Sequence, residues 1–98
     1  MNVHVAAVDA LGGYLVRWAF DQDIVVSGVP GQLECQVSGG SWYPPLLVNA
    51  MTARTVTLQY AAIMAGGNGW RIQTTPANIS FGGAVLQVPA SGTMGPEM

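Results

Sequence analysis

Short segments in which apolar and polar residues alternate with a period of two set the main constraint on how this chain can fold. In the clearest of them Val16, Trp18 and Phe20 share one face, and Arg17 and Ala19 share the other. Such alternation is typical of strands with one buried face. The pattern recurs in residues 33–38, 55–60 and 70–73, with weaker strand candidates at residues 3–8, 24–26, 46–51, 79–81 and 84–88.

Glycine-rich turns separate these segments. Glycine pairs or clusters lie at residues 12–13, 39–40, 66–69 and 82–83. Because glycine supplies the positive φ angles of tight turns, short strands spaced in this way predict a sandwich or a barrel. The helical signal is limited to residues 61–65, an apolar run that Gly66 and Gly67 end after at most one turn. We therefore expect a single all-β domain.

The order of the segments resembles a known family. Trp18-Ala19-Phe20-Asp21, a short strand and a strand ending in Gly39-Gly40 come first, followed by residues 55–60, Gly69-Trp70-Arg71-Ile72, Pro76-Ala77-Asn78-Ile79 and residues 82–86. This order is similar to that of the immunoglobulin-like β-sandwich modules of bacterial surface and phage structural proteins. The resemblance implies a single immunoglobulin-like antiparallel β-sandwich of about seven strands, with a scaffolding or adhesive role. Residues 42–45 are an insertion outside this pattern.

The domain boundaries follow from the same pattern. We expect the immunoglobulin-like sandwich to occupy residues 1–90. Residues 91–98 show no periodicity and are expected to form an extended C-terminal arm that becomes ordered against a neighbouring molecule. Met94 and Met98, the large apolar residues of this arm, are therefore candidate interface residues.

The scarcity of charge limits the classes of partner. Only 8% of the residues are charged, lysine is absent and the formal net charge is −2, whereas soluble domains carry roughly 25% charged residues. Two explanations stay open: a GC-rich genome that replaces lysine codons, or a surface covered by neighbours. The chain has no basic patch for nucleic acid and no apolar run near the roughly 20 residues of a membrane span. From the charge balance and the short apolar runs we therefore expect neither a nucleic-acid nor a membrane partner. A signal peptide is not evident at the N-terminus either.

The residues that could carry chemistry are few. His4 is the only histidine and Cys35 the only cysteine, and Cys35 lies on the apolar face of its segment, where a thiol is usually a small core residue. Asp21 and Asp23 could supply oxygen ligands to calcium, but no further ligands complete a loop, and a turn is the favoured interpretation. We expect no enzymatic activity, no cofactor and no metal site.

An aromatic and proline-rich segment is the strongest candidate for a binding surface. Trp42, Tyr43 and Pro44 follow a glycine turn, and tryptophan and tyrosine are enriched at protein interfaces. The alternative is that both aromatic side chains fold back over the open end of the sandwich. Protein is favoured over carbohydrate as the partner, although sugar rings also stack on such residues.

These features predict a non-enzymatic structural protein. The first hypothesis is a component of a bacteriophage particle, such as a capsid decoration or tail accessory protein. Its partners would be other virion proteins or copies of itself in a homo-oligomer, and its location the virion. The alternative hypothesis is a cell-surface adhesion or carbohydrate-binding module located outside the cell.

Overall fold

All regular secondary structure in the described part of the chain is β-strand. The computed structural model describes residues 2–96, which form thirteen strands. In chain order, β1 to β13 are Asn2–Val3, Val5–Ala10, Leu15–Phe20, Val25–Val26, Glu34–Gln36, Trp42–Tyr43, Leu47–Met51, Thr55–Gln59, Gly69–Ile72, Ile79–Ser80, Val85–Leu86, Ala90–Thr93 and Gly95–Pro96. Residues 2–96 contain no helix that could cross a membrane. The all-β class predicted from the alternation is confirmed.

Two larger sheets contain most of these strands. One has five strands in the order β13-β2-β3-β8-β7, and the other has four in the order β12-β9-β5-β6. Strand β1 pairs with β11, and β10 pairs with β4. The predicted antiparallel pairing holds for most neighbours, but β1–β11 and β13–β2 are parallel.

The strand count differs from the expected value of about seven. Part of the difference arises because one predicted segment is divided: residues 3–8 belong to β1 and β2, which are separated at His4. Three more strands, β6, β12 and β13, were not indicated by the alternation, and the other two arise because the predicted segments number nine and already exceed seven. The topology of an immunoglobulin domain, with its seven longer strands, stays a prediction for this chain.

Large apolar side chains join the two larger sheets. Trp18 on β3 is fully buried and meets Trp70 on β9 edge to face, with ring centroids 5.4 Å apart. Phe20 and Phe81 make a second edge-to-face contact at 5.9 Å. Aromatic pairs in this geometry are stabilised by roughly 0.5–1.5 kcal/mol beyond the burial of their area. The predicted packing of Trp18 and Trp70 across the two sheets is confirmed.

A buried hydrogen-bonded chain crosses the same core. The indole Nε1 of Trp18 donates to the Tyr60 hydroxyl at 2.9 Å, and that hydroxyl donates to the backbone carbonyl of Leu33 at 2.7 Å. Tyr60 follows β8 and Leu33 precedes β5, so the chain links the five-stranded sheet to the four-stranded one. The Trp18 N–H, the Tyr60 hydroxyl and the Leu33 carbonyl thus each have a hydrogen-bond partner within the protein, as buried polar groups require.

The segment from Ala90 to Pro96 lies along the outer edges of both sheets. Strand β12 pairs antiparallel with β9, and β13 then pairs parallel with β2. The Trp70 ring covers Gly92 so closely that a Cβ atom there would lie 2.9 Å from Nε1. Glycine is therefore needed where the indole crosses this strand.

The C-terminal segment thus differs from the extended arm expected at residues 91–98. Up to Pro96 it is hydrogen-bonded to its own chain, because the edges of β9 and β2 supply the backbone partners that a neighbouring molecule was expected to supply. Met94 lies between β12 and β13 with only 3% of its surface exposed. Met98 lies outside the described residues.

Candidate interaction surface

One uncharged segment forms one edge of each of the two larger sheets. Residues 42–51 begin as β6, the edge of the four-stranded sheet, and continue as β7, the edge of the five-stranded sheet. No charged residue lies between Glu34 and Arg54. Edge strands expose unpaired backbone N–H and C=O groups, and charges commonly protect them from other chains. We call residues 42–51 the edge segment; it lacks that protection.

Trp42 opens the edge segment and is fixed in place by its own sheet. The guanidinium of Arg71 lies over the Trp42 ring, 4.1 Å from its centroid. Arg71 in turn donates from Nε to Glu34 Oε1 at 2.8 Å. The ring edge lies against the backbone of Gly69, where an added Cβ would be 3.3 Å from Cη2. Since Arg71 occupies one face of the ring, Trp42 offers less stacking area to a sugar than a free indole does.

Tyr43 and Pro44 continue the edge segment with increasing exposure. Tyr43 is half-buried and packs against the core, and its backbone pairs with Cys35 of β5. Pro44 is exposed, whereas Pro45 is buried. Both aromatic residues thus lie against their own sheet and keep part of their surface accessible, and their role as a binding surface stays a prediction.

Strand β7 and Leu46, the residue before it, add exposed apolar side chains that the sequence did not single out as a binding surface. Leu46, Leu47 and Met51 are all exposed. A bulge between Val48 and Ala50 interrupts the pairing with β8. Leu46 and Leu47 are adjacent and so break the strict alternation within an uncharged stretch. This was the feature of the sequence from which an unprotected sheet edge could have been predicted.

The structure places Met94, the other predicted interface residue within residues 2–96, away from the edge segment. Met94 belongs to the hydrophobic core and has no free surface for a partner. The reason is its position between two paired edge strands, which turns its side chain inward. Of the predicted interface residues in the described chain, Trp42, Tyr43 and Pro44 stay together at the surface.

The two residues with the most reactive side chains are far from forming a site. His4 is exposed and its Nδ1 lies 3.3 Å from Asp21 Oδ2, while Cys35 is fully buried. A hydrogen bond from the backbone N–H of His4 holds the pKa of Asp21 below its usual value. Within residues 2–96 no three metal-ligating side chains converge.

Burial gives Cys35 a testable effect on stability at high pH. Desolvation raises the pKa of this thiol from 9.0 to about 12. Between these values the unfolded chain loses the thiol proton and the folded chain keeps it, so the free energy of unfolding is expected to fall as pH rises through this range. Urea titrations at a series of pH values measure the slope.

The Cys35→Ala variant is the control for this slope. It is expected to lose less stability over the same pH range, although burial also raises the pKa of Tyr60 and leaves a residual slope. Equal slopes for the two proteins would contradict the assignment to Cys35.

The geometry defines an all-β protein with two larger sheets, each with one edge formed by an uncharged segment. No protein-family model matches the sequence, and no curated protein matches it. The fold is similar to parts of three solved structures of one bacterial surface protein. The first is the crystal structure of the S-layer protein rSbsC(31-844), with a TM-score of 0.70 and 11% identity, covering 97% of this chain and 14% of that chain.

The other two structures agree with the first. The crystal structure of the N-terminal part of the bacterial S-layer protein SbsC gives a TM-score of 0.67 and 12% identity, covering 97% of this chain and 24% of that one. The structure of surface layer protein SbsC, domains 1–6, gives 0.70 and 13%, covering 100% and 14%. At these identities the likeness shows the fold alone.

Proposed function

We propose that this chain is a non-enzymatic structural β-module of a bacterial cell-surface protein layer. The observation that carries the proposal is the similarity of nearly the whole chain to S-layer protein structures, at a TM-score of 0.70 over 97% of its length. This chain covers only 14–24% of the length of those S-layer chains. A role in a surface layer like that of the longer proteins is therefore part of the proposal. Fold alone does not determine function, so the surface must supply the rest of the argument.

The surface chemistry suits repeated contact with other proteins. Burying charged groups in a contact is costly unless they are paired, and protein interfaces are depleted of charge at their centres. The charged residues of the described sheets lie mostly in mutual pairs, such as Arg71 with Glu34 and Arg54 with Asp23. The edge segment, residues 42–51, carries no charge of its own, and the Arg71 guanidinium that lies over Trp42 is already paired with Glu34. We propose the edge segment as the lateral contact surface of the module.

A cell-surface role is favoured over the bacteriophage role of the first hypothesis. None of the three similar structures is of a phage protein. The finer features of the first hypothesis, capsid decoration and tail attachment, have no counterpart in the fold or in the surface described above. The location that we propose is therefore the outside of the cell, as in the alternative hypothesis.

Protein is favoured over glycan as the ligand of the edge segment. The Arg71 guanidinium covers one face of Trp42, and the segment offers backbone groups along two sheet edges. Addition of a strand to an exposed edge uses such backbone groups. An immunoglobulin-like sandwich would suit this role, and that topology stays part of the proposal.

Location is the decisive test of the proposed function. Antibodies against the purified chain are expected to label intact cells of the source organism and to detect the protein in the cell-envelope fraction. Lysed cells and an antibody against a cytoplasmic protein serve as controls for integrity. Label confined to the cytoplasm would overturn the proposal, and label confined to phage particles would restore the first hypothesis.

The ligand class is tested on isolated cell-envelope fragments. The purified chain is expected to bind untreated fragments and to lose binding after protease treatment. Binding that survives protease and disappears after periodate oxidation of glycans would assign the edge segment to carbohydrate instead.

A further inference from the structure

Three segments of the chain meet at one end of the five-stranded sheet. The Tyr60 N–H donates to the Tyr14 carbonyl at 2.8 Å, the Leu46 N–H to the Gln59 carbonyl at 2.7 Å, and the Met64 N–H to the Gly13 carbonyl at 2.9 Å. These bonds hold the β2–β3 turn, the start of β7 and the loop after β8 together. These three segments form one end of the molecule, which consists of turns and loops.

Four large apolar side chains are exposed at this end. Tyr14, Leu46, Leu47 and Ile63 each keep between 42% and 62% of their surface accessible. We call these four residues the apolar end. The segments that form it, residues 10–16, 44–50 and 58–69, contain no charged side chain. Exposed apolar patches without charge are typical of surfaces that bind another protein.

The opposite end of the same sheet carries charge. His4 lies 3.3 Å from Asp21, and Arg54 donates from Nε to Asp23 Oδ1 at 2.9 Å. These residues flank the start of β2, the end of β3 and the start of β8, which lie at the far ends of the strands from the apolar end. The molecule therefore has one apolar and one charged end.

This asymmetry selects between two ways of stacking copies of the chain. Head-to-tail contact would place the apolar end of one copy against the charged end of the next. The ion pairs of the charged end would then lose water without gaining new partners, which costs free energy. Contact between two apolar ends brings together segments that carry no charge, and the charged residues that flank residues 10–16, Asp9 and Arg17, are paired with each other at 3.3 Å. Such a contact is related by a two-fold axis, so each copy uses the same surface.

The shape of the apolar end allows this pairing. A cleft of about 410 Å³ is lined by residues 10–13 and 63–66, and Ile63 projects from its rim into solvent. We propose that two copies of this chain pair through their apolar ends, with Ile63 of each copy entering the cleft of the other. The pairing does not depend on the cellular location proposed above, so the two proposals can fail separately.

The size of the protein sets the strength of the pairing. The molecule measures 35 × 24 × 24 Å, and one end of so small a protein offers less than the roughly 800 Å² per partner of a standard interface. A weak, concentration-dependent dimer is therefore expected. Sedimentation velocity of the full chain from about 10 µM to about 1 mM covers the relevant range of dissociation constants.

Substitution of Ile63 tests the surface. Ile63→Asp is expected to raise the dissociation constant of the dimer at least about tenfold, because each interface would bury two unpaired carboxylates. Val25→Asp is the matched control, since Val25 is equally exposed but follows Asp23 near the charged end. Unchanged urea midpoints show that both variants fold.

The outcomes separate the possible occupants of the apolar end. A dimer that Val25→Asp keeps and Ile63→Asp loses supports the proposal. A monomer at every concentration overturns it, as would be found if the rest of the same chain covered the surface. A dimer that persists in Ile63→Asp places the contact elsewhere, and species that keep growing with concentration indicate head-to-tail stacking; either overturns the proposal.

Discussion

Trp18→Ala is expected to lower the free energy of unfolding by about 3–5 kcal/mol, the range for removal of a buried aromatic side chain. Trp18 is fully buried, packs edge to face on Trp70 and donates a hydrogen bond to Tyr60. Removal of the indole would leave a cavity between the two sheets. Small domains have total stabilities of roughly 5–15 kcal/mol, so this one change removes a large share. Urea denaturation followed by circular dichroism measures the loss.

Trp42→Ala is the matched control for this prediction. Trp42 is also a tryptophan on a strand, but it is half-buried at a sheet edge and its main contact is with Arg71. Its removal is expected to cost much less than the removal of Trp18. Comparable losses for the two variants would show that the core is not centred on the Trp18–Trp70 contact.

Tyr60→Phe is expected to have the second largest effect, although it removes a single oxygen atom. That hydroxyl accepts from Trp18 Nε1 and donates to the Leu33 carbonyl. Without it two buried polar groups lose their partners, and each unsatisfied group costs roughly 1–3 kcal/mol. The loss of stability should appear as a lower urea midpoint with an unchanged m-value, because the surface exposed on unfolding stays the same.

Tyr14→Phe makes the same chemical change at an exposed position. Tyr14 lies at the apolar end with half of its surface in solvent, so its hydroxyl can be replaced at little cost. A Tyr60→Phe variant as stable as Tyr14→Phe would refute the buried hydrogen-bonded chain.

The parts of the fold that the sequence predicts most clearly are four inner strands. Strands β3, β5, β8 and β9 coincide with the four clearest alternating segments, because each has neighbours on both sides and one face in the core. Burial of one face imposes the period of two that can be read from the residues. Cys35, predicted to be a core residue from its position between Leu33 and Val37, is fully buried.

The strands that the sequence does not predict are edge strands. Strands β6, β12 and β13 each have a neighbour on one side only. Their pairing depends on distant contacts, such as the Trp70 ring over Gly92, which leave no local pattern in a run of serine, glycine and threonine. The same limit applies to the binding surface: Trp42 could be recognised from its residue type, whereas the burial of Met94 depends on a pairing that the sequence does not reveal.

The parallel pairing of β13 with β2 has a mechanical consequence. Gly95 and Pro96 run beside Asp9 and Ala10 in the same direction. A force that pulls the two ends of the described chain apart draws β2 and β13 in opposite directions along their common axis. The hydrogen bonds between them are then loaded together in shear, instead of opening one after another. The C-terminal segment thus forms one edge of the five-stranded sheet in a geometry that shares tension among its hydrogen bonds.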